Sequence, residues 1–419
     1  MKNKANLFFV YCIAMSAILV TITIIRAATT GITEDEAWTY LHWVHHNPLD
    51  VLKYLNIKET FFTTGNNHIL NSFLISFLEL FFHHNYNEFV IRLPNVISYI
   101  WYLLFAYLIT KDTKYKYLNF SLLVLNYGVN EFFGLARGYG MACAFVLGGI
   151  YFFKKYLLQK KNYLLTLSYL SLLTACYAST ASLIVFASII CVSFLSLFRD
   201  NQFFKYALNQ IFFLLPIVIA TLIIIRYHFL MTKDDPTIYC GPTGSFYSDV
   251  LESLLNVYGF NKRLISHAIN LSILFSIVII AREFDKLKNS YIILTGGVFF
   301  LFFIGLTKVT NQPWMTGRCL IPSMPLLIMM IVEIINVLKI KKNMLFQTVL
   351  IIPLLIMFGL NLNVKATREW KNHYPLRESC YAVFKNNKDN ADILHLRGCG
   401  LGQFYREKIL KENNYDIFY

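Results

Sequence analysis

The chain has 419 residues, of which 56% are hydrophobic and only 15% charged, where a soluble domain carries roughly a quarter charged residues. Folding alone cannot hide that much apolar surface from water, which excludes a soluble globular protein. The formal charge of +14 would suit nucleic acid if the cations formed one patch, but they lie in brief clusters between apolar runs, which excludes that partner and leaves membrane lipids.

The first run, Leu7 to Ile25, holds no charge and is long enough for a helix to cross about 30 Å of hydrocarbon. It follows Met1-Lys2-Asn3-Lys4 but has no small-residue cleavage site before Arg26, so it reads as a retained anchor. Residues 26–88 then form a polar outer loop containing a short apolar run at 68–82. A run of about fifteen residues fits an interfacial helix better than a span. Further spans are expected near 89–110, 117–135, 140–153, 163–178, 181–198, 206–225, 264–281, 290–306, 319–338 and 344–362. The cationic clusters Lys111 to Lys116, Lys154 to Lys161, Arg199 with Lys205, Arg282 to Lys288 and Lys339 to Lys342 mark the cytoplasmic loops by the positive-inside rule.

The expected fold class is therefore an all-α polytopic membrane protein of about eleven transmembrane helices, with interfacial helices in the first outer loop. Residues 1–362 make the membrane domain and 363–419 a small extracytoplasmic C-terminal segment in which apolar residues recur. The N-terminus is expected in the cytoplasm, the C-terminus outside, and the setting is a bacterial cell membrane. Cys12, Cys143, Cys176 and Cys191 lie in apolar runs, where a thiol behaves as a small hydrophobe. Cys240, Cys380 and Cys399 fall outside the membrane, and Cys380 with Cys399 is the better candidate for a disulfide.

Five short clusters carry chemistry. Thr33-Glu34-Asp35-Glu36-Ala37-Trp38-Thr39-Tyr40 follows the first span. It reads either as a helix start capped by Thr33 or Asp35 or as carboxylates placed to take a proton from a hydroxyl. Asn66-Asn67-His68-Ile69-Leu70-Asn71 opens the short apolar run and can satisfy headgroups or bind a phosphate or sugar. Glu88-Phe89-Val90-Ile91-Arg92-Leu93-Pro94-Asn95 begins the next span, with Arg92 reaching to the interface and Pro94 in the first turn, where its missing donor costs nothing. Asn130-Glu131 and Ala136-Arg137-Gly138-Tyr139-Gly140 occupy an outer turn. Charges at that depth are functional by default, and an internal Glu131 to Arg137 pair is the structural alternative. Gly317-Arg318-Cys319-Leu320-Ile321-Pro322 lies at a later outer boundary, with Arg318 free to face an anion. There is no Gly-rich phosphate loop, no HExxH and no paired-Cys motif, so nucleotide hydrolysis and structural zinc have no support.

Taken in order, Asp35-Glu36-Ala37, Asn67-His68 with Leu70-Asn71, Arg92 to Asn95, Ala136 to Gly140 and Gly317 to Pro322 resemble the GT-C glycosyltransferases. The nearest branch is glycosyltransferase family 39, with the protein O-mannosyltransferases and the aminoarabinose transferase of lipid A. The resemblance covers residues 1 to 330, is most specific over 33–140, and owes nothing to the tail. It implies a polyprenyl-phosphate-sugar donor, a glycan, lipid or protein hydroxyl as acceptor, and transfer with inversion at the extracytoplasmic face. Asp35, with Glu36 beside it, would be the general base. Arg137 and Arg318 would neutralise the lipid phosphate, His68 would add another donor next to Asn67, and Tyr139 would line the site. Two positions depart from the family pattern: no lysine stands near Asn67 and His68, and the acid nearest Tyr139 is Glu131. That acid would orient the acceptor or pair with Arg137. The single acidic cluster argues for catalysis without a cofactor, with metal dependence left open. The rival is a transporter or flippase of lipid-linked glycans, which would favour repeated halves with matched broken helices; the sequence has neither.

Overall fold

The computed structural model describes residues 2–44, 48–53, 68–82, 86–234, 290–310, 317–337, 344–365, 403–405 and 407–408. Among these, every regular element is helical and no strand occurs. The helices are α1 (Lys2–Thr29), α2 (Glu34–Thr39, continued by a π turn Tyr40–Val44), α3 (Pro48–Lys53), α4 (Ile69–Phe82), α5 (Glu88–Thr110), α6 (Lys116–Val124), α7 (Tyr127–Phe133) and α8 (Gly138–Gln159). After these come α9 (Asn162–Ala178), a 3-10 turn Thr180–Ser182, α10 (Leu183–Arg199), α11 (Phe203–Asn209), α12 (Ile211–Asp234) and α13 (Tyr291–Thr310). A 3-10 segment Gly317–Ser323 leads into α14 (Met324–Val337), and α15 (Met344–Asn361) closes the series.

Eight helical stretches among the described residues are long and apolar enough to cross a membrane: Leu7–Thr29, Glu88–Thr110, Gly138–Gln159, Thr180–Arg199, Ile211–Leu230, Tyr291–Lys308, Gly317–Val337 and Met344–Asn361. The chain is an integral membrane protein. In α1, Phe8, Cys12, Leu19, Thr23 and Arg26 are buried at steps of three, four and seven, while Leu7, Phe9, Val10 and Ile13 are exposed. That is one inward stripe and a lipid-facing remainder.

Of the other expected spans, 264–281 lies outside the described residues, and 163–178 is the 17-residue α9. The run 117–135 differs more, because it divides into α6 and α7 at Leu125-Asn126. Asn126 diverts the backbone by capping α7, its side chain accepting from the Val129 N–H at 3.1 Å. The carbonyls at the break are met by side chains: Asn130 Nδ2 donates to Val124 at 2.7 Å and the Tyr102 hydroxyl to Leu123 at 2.8 Å. With no water to serve them, such groups have to be satisfied internally. Pro94 is also displaced from expectation, standing inside α5 and not in its first turn, because Asn87 caps the helix through Phe89 and Val90 and so starts it at Glu88.

Helix α4 is short and inverted. Asn71, Ser72, Ser76 and Glu79 are buried, while Phe77, Leu80, Phe81 and Phe82 are exposed, as suits a helix with its back to acyl chains and its polar face to protein. The Ser76 hydroxyl donates to the Val44 carbonyl at 3.2 Å and the Tyr40 hydroxyl to Glu79 at 3.1 Å. Cys12, Cys143 and Cys176 are buried free thiols; Cys240, Cys380 and Cys399 lie outside the described residues. At one end of the bundle, the Thr29 and Thr30 hydroxyls both donate to the Val364 carbonyl, at 2.6 and 3.3 Å. The ends of α1 and α15 therefore share the face on which α2 lies.

Candidate functional site

Thr33 caps α2 through a reciprocal box: the Glu36 N–H donates to Thr33 Oγ1 at 3.3 Å, and the Thr33 N–H donates to Glu36 Oε2 at 2.8 Å. Glu36 is then held from the other side by Arg92, whose Nε and Nη2 reach its two oxygens at 2.9 and 2.7 Å. The Ala136 N–H adds a bond of 2.5 Å to Oε1. Arg92 spends its remaining donors on the carbonyls of Ala27 and Thr30 (3.1 and 2.6 Å) and of Gly31 (2.9 Å). Both side chains are fully buried. Arg92 is thus an internal clamp and not the interface-seeking residue that sequence suggested. A forked guanidinium is the group that can tie the end of α1, the start of α2 and α5 together at one point. Burial pushes the Glu36 carboxyl upward, but the Arg92 charge and these hydrogen bonds outweigh it and hold the carboxyl below its ordinary range. With four donors on its oxygens, Glu36 serves as a scaffold for its neighbour.

That neighbour, Asp35, one position earlier in the first turn of α2, meets different partners. Arg318 Nη1 lies 2.7 Å from Asp35 Oδ2, and Arg137 Nη2 lies 3.4 Å from the same oxygen. Arg137 also donates to the Asp35 carbonyl and to Thr39 Oγ1, at 3.3 and 3.4 Å. Arg137 is almost wholly buried, whereas Asp35 and Arg318 retain 15% and 21% exposure, so the carboxylate and one guanidinium each show part of their surface. Two cations on one carboxylate leave a net positive centre, which suits an anion. Among the described residues no three His, Cys, Asp or Glu side chains gather as a cation site.

His68 closes the third side. Its Nδ1 lies 2.9 Å from the Ala178 carbonyl, and a carbonyl only accepts, so Nδ1 carries the proton and Nε2 presents a lone pair. That Nε2 is buried with no hydrogen-bond partner among the described residues. Burial, reinforced by the Arg137 charge, holds the imidazole well below its ordinary 6.5. The neutral ring therefore offers an acceptor, in place of the added donor expected from the sequence. Its edge meets the Tyr139 ring at 4.6 Å, and Arg137 stands over the same ring at 5.9 Å. Gly138 makes this approach feasible: a Cβ there would lie 1.9 Å from the Ala178 oxygen and 2.9 Å from His68 Cβ.

The structure thus brings Asp35, Arg137, Arg318, His68 and Tyr139 together and sets Glu36 directly behind them. Asn67 lies outside the described residues. Glu131 pairs with Arg26 at 3.2 Å, because α7 turns it towards the end of α1, while Arg137 turns to Asp35. Sequence reasoning missed Arg26 as its partner. It also missed the amide chain in which Asn71 Nδ2 donates to the Ala136 carbonyl (2.9 Å), Asn95 Nδ2 to Asn71 Oδ1 (2.6 Å), and the Met141 N–H to Asn95 Oδ1 (3.2 Å). That chain pins the 134–137 turn to α4, α5 and α8. The signal for the chain was an Asn on the inner side of each of two successive apolar helices, Asn71 and Asn95.

Beside the site, a crevice of about 510 Å³ runs between α10, α12 and α13, walled by side chains such as Ile184, Phe186, Ile225, Phe302 and Leu306. It begins at Thr180 and Ala181, two residues past the carbonyl that holds His68. Comparison of the chain with protein-family models, with curated proteins and with solved structures gives no match.

Proposed function

We propose that this protein is a membrane glycosyltransferase that moves a sugar from a polyprenyl-phosphate carrier to an acceptor hydroxyl at the extracytoplasmic face. The observation that carries the proposal is the sharing of the Asp35 carboxylate between Arg137 and Arg318. An arriving phosphate competes with Asp35 for the same guanidinium N–H groups, and planar guanidinium suits that ligand. Asp35, released from them, accepts the proton of the acceptor hydroxyl as its oxygen attacks the anomeric carbon. The carbon–oxygen bond to the phosphate breaks with inversion, and the arginines take up the charge on the departing phosphate. Glu36 acts through Arg92 and the capping box to aim Asp35. The His68 lone pair is placed to accept from a substrate hydroxyl. The apolar crevice that begins beside Ala178 offers room for a lipid chain. In this reading the chain makes about eleven crossings of a bacterial cell membrane, with its N-terminus in the cytoplasm and its C-terminal segment outside.

The test is transfer by purified protein in detergent, with a labelled polyprenyl-phosphate sugar and an acceptor. Product formed without any sealed compartment, and lost in Asp35→Asn protein that inserts normally, supports the reading. Normal transfer by Asp35→Asn overturns Asp35 as the base. Movement of the lipid-linked sugar across sealed vesicles with no product would favour a flippase.

A further inference from the structure

Asp35 stands on a helix of only six residues, so its direction depends on the chain that leads into the cap. The residue before the cap, Ile32, is fully buried, and its N–H donates at 2.9 Å to the hydroxyl of Tyr405, 373 positions later. The same hydroxyl donates to Glu88 Oε1 at 3.1 Å, so both its donor and its acceptor capacity are used. Lys408 Nζ pairs with the other oxygen of Glu88 at 3.1 Å. The Tyr86 hydroxyl donates to Glu407 Oε2 at 2.6 Å. Phe404 is buried against the rings of Tyr40 and Tyr86, at 5.4 and 5.5 Å. The described residues of the C-terminal segment therefore grip the outer loop at three polar points and one aromatic cluster, all directly behind the Glu36–Arg92 clamp.

We propose that the C-terminal segment carrying Phe404, Tyr405, Glu407 and Lys408 is a strap that completes the site, with Tyr405 as a positioning residue for Asp35. The physical reason is that the Thr33 N–H is already committed to Glu36, which leaves the Ile32 N–H as the next backbone donor to be satisfied. A buried donor without a partner is costly, and among the described residues the Tyr405 hydroxyl is the acceptor that meets it at hydrogen-bond distance. Its loss frees the peptide that sets the pitch of α2, and with it the aim of a carboxylate that has to meet an attacking oxygen within a fraction of an ångström. Among the described residues, the bonds of Phe404, Tyr405, Glu407 and Lys408 run to Ile32, Tyr40, Tyr86 and Glu88 and to neither guanidinium of the site, so their effect falls on the turnover step and leaves donor binding to Arg137 and Arg318.

The kinetic part of this inference rests on the transferase reading; the structural part does not, and the experiment separates them. Full-length wild-type and Tyr405→Phe proteins are compared in detergent for transfer and for hydrogen exchange of peptides spanning residues 30–40. Tyr405→Phe keeps the ring and removes only the hydroxyl. It is expected to lower kcat about tenfold with donor KM unchanged, and to raise exchange in 30–40 while the elution profile stays that of the folded protein and the thermal midpoint falls by only about a few degrees. Lys408→Met is expected to give a smaller loss of the same kind. Wild-type kcat in folded Tyr405→Phe, or a loss of folded yield with unchanged turnover per folded molecule, overturns the positioning role. If the wild type itself makes no product, the transferase reading fails and exchange alone decides the strap: unchanged protection of 30–40 in Tyr405→Phe overturns it.

Discussion

Arg318 Nη1 lies 2.7 Å from Asp35 Oδ2, although 283 residues separate the two in the chain. The pair joins the first loop to the 3-10 segment before α14, and Arg137 enters from the turn before α8. Three distant stretches meet on one oxygen.

The two arginines are expected to fail differently when removed. Arg318 is partly exposed, so Arg318→Ala should lower transfer about a hundredfold while shifting the thermal midpoint little. Arg137 is buried and also bonds the Asp35 carbonyl and Thr39. Arg137→Ala should cost activity and about 3 kcal/mol of stability together. Thermal unfolding in detergent alongside initial rates separates them, and equal stability losses would contradict the assignment.

Glu36→Gln leaves Arg92 without its counter-charge in a fully buried setting. Breaking such a pair costs about 3–5 kcal/mol, so the variant should insert poorly or unfold well below wild type. The double variant Glu36→Gln/Arg92→Met should recover part of that loss, because the stranded charge is gone. A double variant less stable than both singles would argue against the clamp.

At Gly138 the expectation is steric. An added Cβ would meet the Ala178 carbonyl oxygen at 1.9 Å, which is backbone and cannot swing aside. Gly138→Ala should therefore part α8 from the end of α9, cost at least about 1–3 kcal/mol, and break the His68–Ala178 bond. A wild-type melting temperature with full activity would show that the approach is not needed.

Acid should destabilise the protein through His68. The folded state holds this imidazole neutral, well below its ordinary 6.5, while the unfolded chain takes up a proton near that value. Below 6.5 the unfolded state binds more protons, so stability rises with pH there; the contribution is complete above 6.5 and is lost as pH falls beneath it. Thermal midpoints measured between about pH 5 and pH 8 should fall more steeply on the acid side for wild type than for His68→Gln. Parallel curves would remove His68 as the cause.

How much of this was legible beforehand follows from what each feature depends on. The spans follow from composition, because charge-free runs of membrane length have few other fates. The Thr33–Glu36 box was readable as local spacing, and so were Asp35, His68, Arg137 and Arg318 as polar residues at span ends. Their pairing was not, since which guanidinium meets which carboxylate is settled by how helices cross. Glu131 is the example: six residues from Arg137 in sequence, it reaches Arg26, 105 residues away, once α7 breaks from α6. The break itself turns on one Asn whose cap competes with helix continuation, and window averages of hydropathy pass over it. The strap was illegible for the same reason, as nothing in the tail's composition says which loop it grips.

The inverted helix α4 has one more consequence. With Phe77, Leu80, Phe81 and Phe82 outward and its inner face bonded to the loop that carries Asp35, it works like a float at the waterline. Whatever depth those four side chains find among the acyl chains is passed to the carboxylate through Ser76 and Glu79. On the proposed transferase reading, the height of Asp35 is thereby referenced to the leaflet surface, the level that a lipid-borne donor and an incoming hydroxyl would share.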